Sequence, residues 1–311
     1  MHYSAKYINV QSIVNLGEKV SQVQEQVVVN NKWVLDHLKD PNVRIVEVDY
    51  DPNTAYNIWH IPGAVLIRWR EDLRHPIIRD FIGPDDFERL MESKGISNNT
   101  TVVLYGDYNN WFAVYAFWLF KAYGHDDVRV LNGGRTKWAK DNLPTEQGPK
   151  EPQYAKGSYK VKKVDWGSHR AFFWEVLQKI TKGEVGKTTI LVDVRSPKEY
   201  TGEIRAPPEY ADEQTQVGGH IPGAMSFPWA QAVNPDTGEF KPIEELKRLV
   251  ESAGISQDKE IITYCRIGER AAHTWFVLKY LLGYPAVRVY DGSWAEWGNI
   301  VGAPVKKGSE P

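Results

Sequence analysis

One cysteine stands in this chain of 311 residues. Cys265 opens the run Cys265-Arg266-Ile267-Gly268-Glu269-Arg270, directly after the apolar stretch Ile261-Ile262-Thr263-Tyr264. A thiol between a strand end and a helix start is placed for nucleophilic sulfur chemistry. An ordinary cysteine, with a pKa of about 8.5, is only slightly ionised at neutral pH, so a reactive one needs help to carry the anion. The nearest histidine, His273, lies eight residues on and would face away from the strand end on a helix beginning near Gly268, which argues against a Cys–His pair. The remaining route is a loop that curls its N–H groups onto the sulfur, aided by a helix N-terminus. Arg266 and Arg270 strengthen that field and can recognise an oxyanion. A phosphate-binding loop would place arginine at position 271, where Ala271 stands, so the shorter Cys-x4-Arg spacing favours a sulfur atom over a phosphate.

The elements that position this loop occur twice. His60-Ile61-Pro62-Gly63-Ala64 recurs as His220-Ile221-Pro222-Gly223-Ala224 at an offset of 160. Lys94-Gly95-Ile96-Ser97 and Ala253-Gly254-Ile255-Ser256, Asn132-Gly133-Gly134 and Asp291-Gly292-Ser293, and Trp138 and Trp297 follow at 159. Such in-register self-similarity indicates a duplicated domain. Each copy begins with a β-rich run, 44–48 or 189–194, and the His-Ile-Pro-Gly-Ala turn. An amphipathic helix follows, 85–94 or 243–253, then a strand, 101–105 or 260–264. A longer apolar helix, 110–123 or 268–282, leads to a last strand, 128–131 or 287–290, and a Trp-bearing helix. Short apolar strands alternating with helices predict an α/β fold with a mainly parallel sheet flanked by helices on both faces in each domain. Ligands of such sheets bind beyond the carboxyl ends of the strands, where Cys265 falls. We divide the chain into an N-terminal arm (1–26), a domain without a catalytic cysteine (27–143), a linker (144–165) and a catalytic domain (166–311). The counterpart of Cys265 is Gly106 and that of Arg266 is Asp107, so the first copy reads as a cleft wall without chemistry of its own.

A net charge of −2, with no dense Lys/Arg run, argues against nucleic-acid binding. One cysteine excludes an internal disulfide and fits a reducing cytoplasm. The first thirty residues carry neither a signal peptide nor a membrane span, and no His/Cys spacing suggests a metal site. Most of the twelve tryptophans should serve packing.

With the loop in register with both His-Ile-Pro-Gly-Ala motifs, Asp193-Val194-Arg195 and Asp291-Gly292-Ser293-Trp294, the chain resembles the two-domain rhodaneses from about Val27 onward. The subgroup it matches has a Cys-Arg-Ile-Gly-Glu-Arg loop. The resemblance implies two tandem rhodanese-like domains, no cofactor and no metal. It implies that Cys265 takes a sulfane sulfur from thiosulfate, releases sulfite, holds the sulfur as a persulfide and passes it to cyanide or a thiol, which a protein could carry. Arg266, Ile267, Gly268, Glu269 and Arg270 would bind substrate or persulfide, with Asp193 and Arg195 as supporting residues. Vertebrate rhodaneses have lysine where this chain has Ile267, and mercaptopyruvate enzymes have glycine where it has Arg266. Both carry a substrate-binding arginine that matches Glu199 here; Arg205, in an insertion missing from the first copy, is the replacement the sequence offers. Thiosulfate is therefore favoured over 3-mercaptopyruvate, with a low-turnover sulfur carrier as a further alternative and a phosphatase as the weakest.

The plainer roles of these residues stand beside the functional ones. A free cysteine is usually a small buried hydrophobe, but the loop favours catalysis for Cys265. Arg270 reads equally as a solvated helix residue and as a ligand. Glu269 suits the first turn of a helix and would also weaken attraction for a dianion. Asp193 and Arg195 read as a structural ion pair, and His60 and His220 as turn caps, since both copies have the histidine.

Overall fold

The computed structural model describes residues 27–207 and 215–311. The expected arm, 1–26, and the acidic stretch 209–213 lie outside the described residues. The first half runs β1 (Val28–Val29), α1 (Asn31–His37), β2 (Val43–Asp49), β3 (Val65–Arg68), the one-turn α2 (Trp69–Asp72) and α3 (Pro84–Ser93). It continues through β4 (Thr101–Gly106), α4 (Asp107–Ala122), β5 (Val128–Leu131) and α5 (Gly134–Lys140). The second half holds α6 (Phe173–Thr181), β6 (Thr189–Asp193), α7 (Pro197–Thr201), β7 (Met225–Ser226), a 3-10 turn at Trp229–Ala232 and α8 (Ile243–Ser252). It ends with β8 (Glu260–Tyr264), α9 (Glu269–Phe276), a π-helical turn at Val277–Leu281, β9 (Val287–Val289) and α10 (Ser293–Trp297). Local chemistry sets several starts: Asn30 Oδ1 accepts from Trp33 N to cap α1, Pro84 opens α3, and Ser196 closes a capping box with Glu199 on α7.

Every strand pair in both sheets is parallel, in the orders β1-β5-β4-β2-β3 and β7-β6-β8-β9. The chain leaves β2 for β3 on one side and returns to β4 on the other; β6, β7 and β8 repeat the move. This places a crevice at the carboxyl ends of β2 and β4 in one domain and of β6 and β8 in the other. Asp193 and Cys265 flank the second crevice.

Both sheets bury both faces, which explains the near-continuous apolar runs of their central strands. One face of each packs on a private core: Val43, Ile45, Val103 and Tyr105 with Trp138 in the first domain, Leu191, Ile262 and Tyr264 with Trp294 and Trp297 in the second. The opposite faces share one core that crosses the domain boundary, with Val46, Val102 and Leu104 on one side and Ile190, Val192 and Ile261 on the other. Between them, α4 packs on α9: Phe117 meets Phe276 at 4.8 Å and Tyr280 at 5.1 Å between ring centroids.

The expected linker has no regular elements beyond residue 150 and is tied down along the first domain. Tyr154 Oη donates to Gly63 O, Gly157 N to Glu92 O, and Asp165 N to Ala122 O. The repeated histidines do more than cap turns. His60 stacks on Tyr56 and His220 on Tyr200 at 3.8 and 3.7 Å, and the backbone of each pairs with a later segment, at Glu146 and Lys306. Both are buried, so the motif fastens the end of each domain back onto its start.

Because Phe117 is fully buried at the shared core, Phe117→Ala should cost about 3–5 kcal/mol and lower the thermal midpoint by roughly 10 °C. Scanning calorimetry against the surface control Val301→Ala, which should melt like the parent, checks this.

Candidate active site

Cys265 follows the last residue of β8 and is fully buried. Its backbone is pinned by the segment after β9: Cys265 N donates to Ser293 Oγ at 3.1 Å, and Trp294 N donates to Cys265 O at 3.0 Å. Ser293 takes a left-handed φ of 53°, where the first domain uses Gly134 at 47°; its hydroxyl also donates to Tyr290 O at 2.7 Å. The serine side chain ties the β9 turn to the cysteine. The sequence showed the Asp-Gly-Ser-Trp motif but not this role.

The loop aims amides at the sulfur. Gly268 N donates to Cys265 Sγ at 3.1 Å, and the Ala271 amide also stabilises the thiolate. Gly268 has φ +106°, and a Cβ there would sit 3.0 Å from Asp291 Cβ and 3.3 Å from the Tyr115 ring, so glycine is required both conformationally and sterically. The same peptide unit is held from its other end, because Arg79 Nη2 donates to Ile267 O at 3.4 Å and to Asp291 O at 2.9 Å. The first domain therefore orients the peptide whose N–H meets the sulfur. Arg79 carried no motif and was not anticipated. Arg266 is buried and its carbonyl accepts from Ala295 N at 2.9 Å, which ties the loop to α10.

The electrostatics correct one expectation. The cradle and Arg270 favour the thiolate, but burial and then the Glu269 carboxylate outweigh them and push the Cys265 thiol up to about 11. The resting sulfur is a thiol that donates to Glu269 Oε2 at 3.5 Å. His273 takes no part: it packs between Trp229 and Phe240, and burial pushes it down to about 3.

Arg270 is not a solvated helix residue. It is buried and clamped by Glu199, Nη1 to Oε2 at 3.0 Å and Nη2 to Oε1 at 3.1 Å, with its Nε 3.5 Å from Glu269 Oε1. Burial opposes ionisation of Glu199, yet the guanidinium prevails and holds that carboxyl down to about 2. Asp193 and Arg195 form a fully buried pair, Nη2 to Oδ2 at 2.6 Å, and Arg195 also donates to Gly219 O at 2.7 Å. Their contacts tie the end of β6 to Gly219, next to the His220 turn.

A cavity of about 460 Å³ opens over the Glu199–Arg270 pair, walled by Tyr108, Trp111, Pro228 and Trp229. Its first-domain wall is built by the counterpart loop, since Trp111 is the repeat partner of Arg270. Arg205 is not brought to this site. It is exposed and lines a different cavity, with Gln216, Val217 and Lys307, that shares no lining residue with the first. The expectation that Arg205 replaces a substrate-binding arginine fails on this geometry, because Arg205 follows the end of α7 together with Gly202 and Glu203, which line that other cavity and not the first.

The first domain's own loop is closed. Asn110, the counterpart of Glu269, accepts from Gly106 N at 3.0 Å and donates to Leu131 O at 2.8 Å, filling the space a cradle would need. Asp107 accepts from Tyr50 N at 3.0 Å and Asp51 N at 3.3 Å, while Tyr108, Asn109 and Asn110 all take left-handed φ. Burial, then the charge of Asp49, raises the Asp107 carboxyl. Nothing there invites an anion.

Residues 30–141 and 175–300 each match the rhodanese-like domain. The sulfur carrier protein TtuD of Thermus thermophilus is 55% identical over 92% of this chain and 98% of its own length. A Mycolicibacterium smegmatis protein named "Putative thiosulfate sulfurtransferase" is 49% identical over 92% of this chain and 99% of its own. Among solved structures, SseA from Escherichia coli, described as a 3-mercaptopyruvate sulfotransferase, superposes with a TM-score of 0.71 at 26% identity, covering 86% of this chain and 98% of SseA. Tum1 from Saccharomyces cerevisiae shares the fold, with a TM-score of 0.76 at 21% identity over 92% of this chain and 99% of Tum1. Two matched domains, together with relatives of this similarity along nearly the whole chain, make the protein a member of the rhodanese family of sulfurtransferases, with two rhodanese-like domains in tandem.

Proposed function

We propose that the protein moves a sulfane sulfur from thiosulfate to cyanide or a thiol by double displacement through a persulfide on Cys265. The Cys265 thiolate attacks the outer sulfur of thiosulfate, the S–S bond breaks, and sulfite leaves with the bonding pair. The Cys265 persulfide then gives its terminal sulfur to cyanide, forming thiocyanate, or to a thiolate, forming a new persulfide, and the cysteine thiolate returns. The observation that carries this reading is the Gly268 amide on Cys265 Sγ, within a loop that continues to the Ala271 amide: the added sulfur would extend into a ring of donors. With no second cysteine to resolve it, the persulfide must discharge to an external acceptor. The lone thiol suits a reducing cytoplasm. Among the described residues no helix is long and apolar enough to cross a membrane.

A carrier reading is supported by one observation, the 55% identical relative named as a sulfur carrier. It shares the persulfide and differs in the acceptor, which would be a protein thiol. Of small donors, thiosulfate is favoured over 3-mercaptopyruvate, since Arg266 stands where the mercaptopyruvate enzymes have glycine.

Incubation with thiosulfate should add one sulfur atom to the intact protein, located by peptide mass spectrometry at Cys265. Cys265→Ser should show neither adduct nor turnover, and wild-type-like turnover in that variant would rule the mechanism out. A further outcome concerns pH. The thiol is pushed up to about 11, so the persulfide-forming rate should climb with pH across the alkaline range as it ionises. Glu269→Gln removes a charge that opposes ionisation, so the climb should move to lower pH by about one unit, and the KM for thiosulfate should fall. Stopped-flow rates between pH 6 and 10 read both effects; an unmoved profile with an unchanged or higher KM denies Glu269 this electrostatic role.

A further inference from the structure

We infer that Glu199 is a specificity-determining residue for the sulfur donor, one that sets the cavity to prefer a singly charged donor bearing an apolar group over the thiosulfate dianion. The inference rests on the sulfurtransferase reading and deepens it.

Arg270 supplies the one guanidinium lining this cavity among the described residues. Both of its terminal nitrogens are spent on Glu199, at 3.0 and 3.1 Å, in the two-pronged geometry an oxyanion would otherwise take. Its remaining edge faces Glu269, with Nε 3.5 Å from Oε1. The cation is thus flanked by two carboxylates. Nor can Glu199 easily step aside: it is fully buried, its Oε2 accepts from Ser196 N at 3.0 Å and Ser196 Oγ at 2.9 Å, and it stays ionised because Arg270 outweighs the effect of burial. The neighbouring Arg195 is committed to Asp193 and Gly219. A dianion entering here must shed the water around two charges without gaining a free cation in exchange. The walls, in contrast, are apolar: Tyr108, Trp111, Pro228 and Trp229 suit an aromatic or aliphatic group.

Benzenethiosulfonate is a suitable probe. It has the same terminal sulfane sulfur as thiosulfate, one negative charge and a phenyl ring, and attack by the thiolate expels benzenesulfinate with the S–S bonding pair. With cyanide as acceptor, the wild-type protein should show a higher kcat/KM for benzenethiosulfonate than for thiosulfate. Glu199→Gln should free one side of Arg270 and raise the ratio of thiosulfate to benzenethiosulfonate kcat/KM on the order of tenfold, mainly through the thiosulfate KM. In an Arg270→Met background the same substitution should leave the ratio unchanged. A wild-type measurement guards against a variant that folds poorly: benzenesulfonate should compete with thiosulfate more tightly than sulfate does.

An unchanged ratio in Glu199→Gln, an equal change without Arg270, or tighter competition by sulfate would each overturn the inference while leaving the sulfurtransferase reading intact. Failure of the wild type to form a Cys265 persulfide with either donor would overturn both.

Discussion

The peptide bond between Ile267 and Gly268 carries the site. Its N–H meets the Cys265 sulfur, and its C=O is held by Arg79 of the other domain. A buried sulfur anion has no water to rely on, so its stabilisation must come from dipoles already in place. Gly268 permits the left-handed turn, Ser293 fixes the cysteine backbone, and Asp291 joins the Arg79 contact to Arg170 through bonds of 2.7 and 3.1 Å. The second domain owns the sulfur, but the geometry that makes it useful is assembled from both.

Duplication left two strand ends with the same backbone plan and opposite uses. In the copy that bears Cys265, position 269 holds a carboxylate beside the thiol; in the other, Asn110 turns inward and occupies the amide of Gly106. The charge logic of the neighbouring strand is also rearranged. Asp193 takes its arginine from two residues on, Arg195, just past the end of β6, whereas Glu47, at the matching register, takes Arg135 from α5. The copy without a cysteine fills its loop with Asn110, and Tyr108 and Trp111 of that closed loop become the wall of the other's cavity.

Much of this was legible in the sequence. The repeat, the alternation of strands and helices, and the position of Cys265 beyond a central strand follow from periodicity and from one rare residue type. Strand ranges such as 260–264 and 128–131 coincide with β8 and β5, because strands buried on both faces announce themselves as apolar runs. The short edge strands β1, β3 and β7 were missed, since two to four residues carry no usable period. What sequence could not supply was pairing across distance. The partner of Arg270 is Glu199, 71 residues earlier, and the partner of the Ile267 carbonyl is Arg79, 188 residues earlier. The same blindness produced the Arg205 expectation: proximity along the chain to Glu199 stood in for proximity in space. The thiol's ionisation was misjudged for a related reason, because the loop's amides are visible in sequence and the depth of burial is not.

The core shared by the two sheets has a consequence for motion. Domains joined by a polar seam can hinge, and many transferases use such closure to dry their sites. Here Phe117, Trp275, Phe276 and Tyr280 interlock across the boundary, and any rotation would tear apolar surface into water. The seam therefore acts as a weld. A domain rotation that drew Arg79 away from the Ile267 carbonyl would have to break this packing, so the apolar seam helps hold the Gly268 peptide against the sulfur.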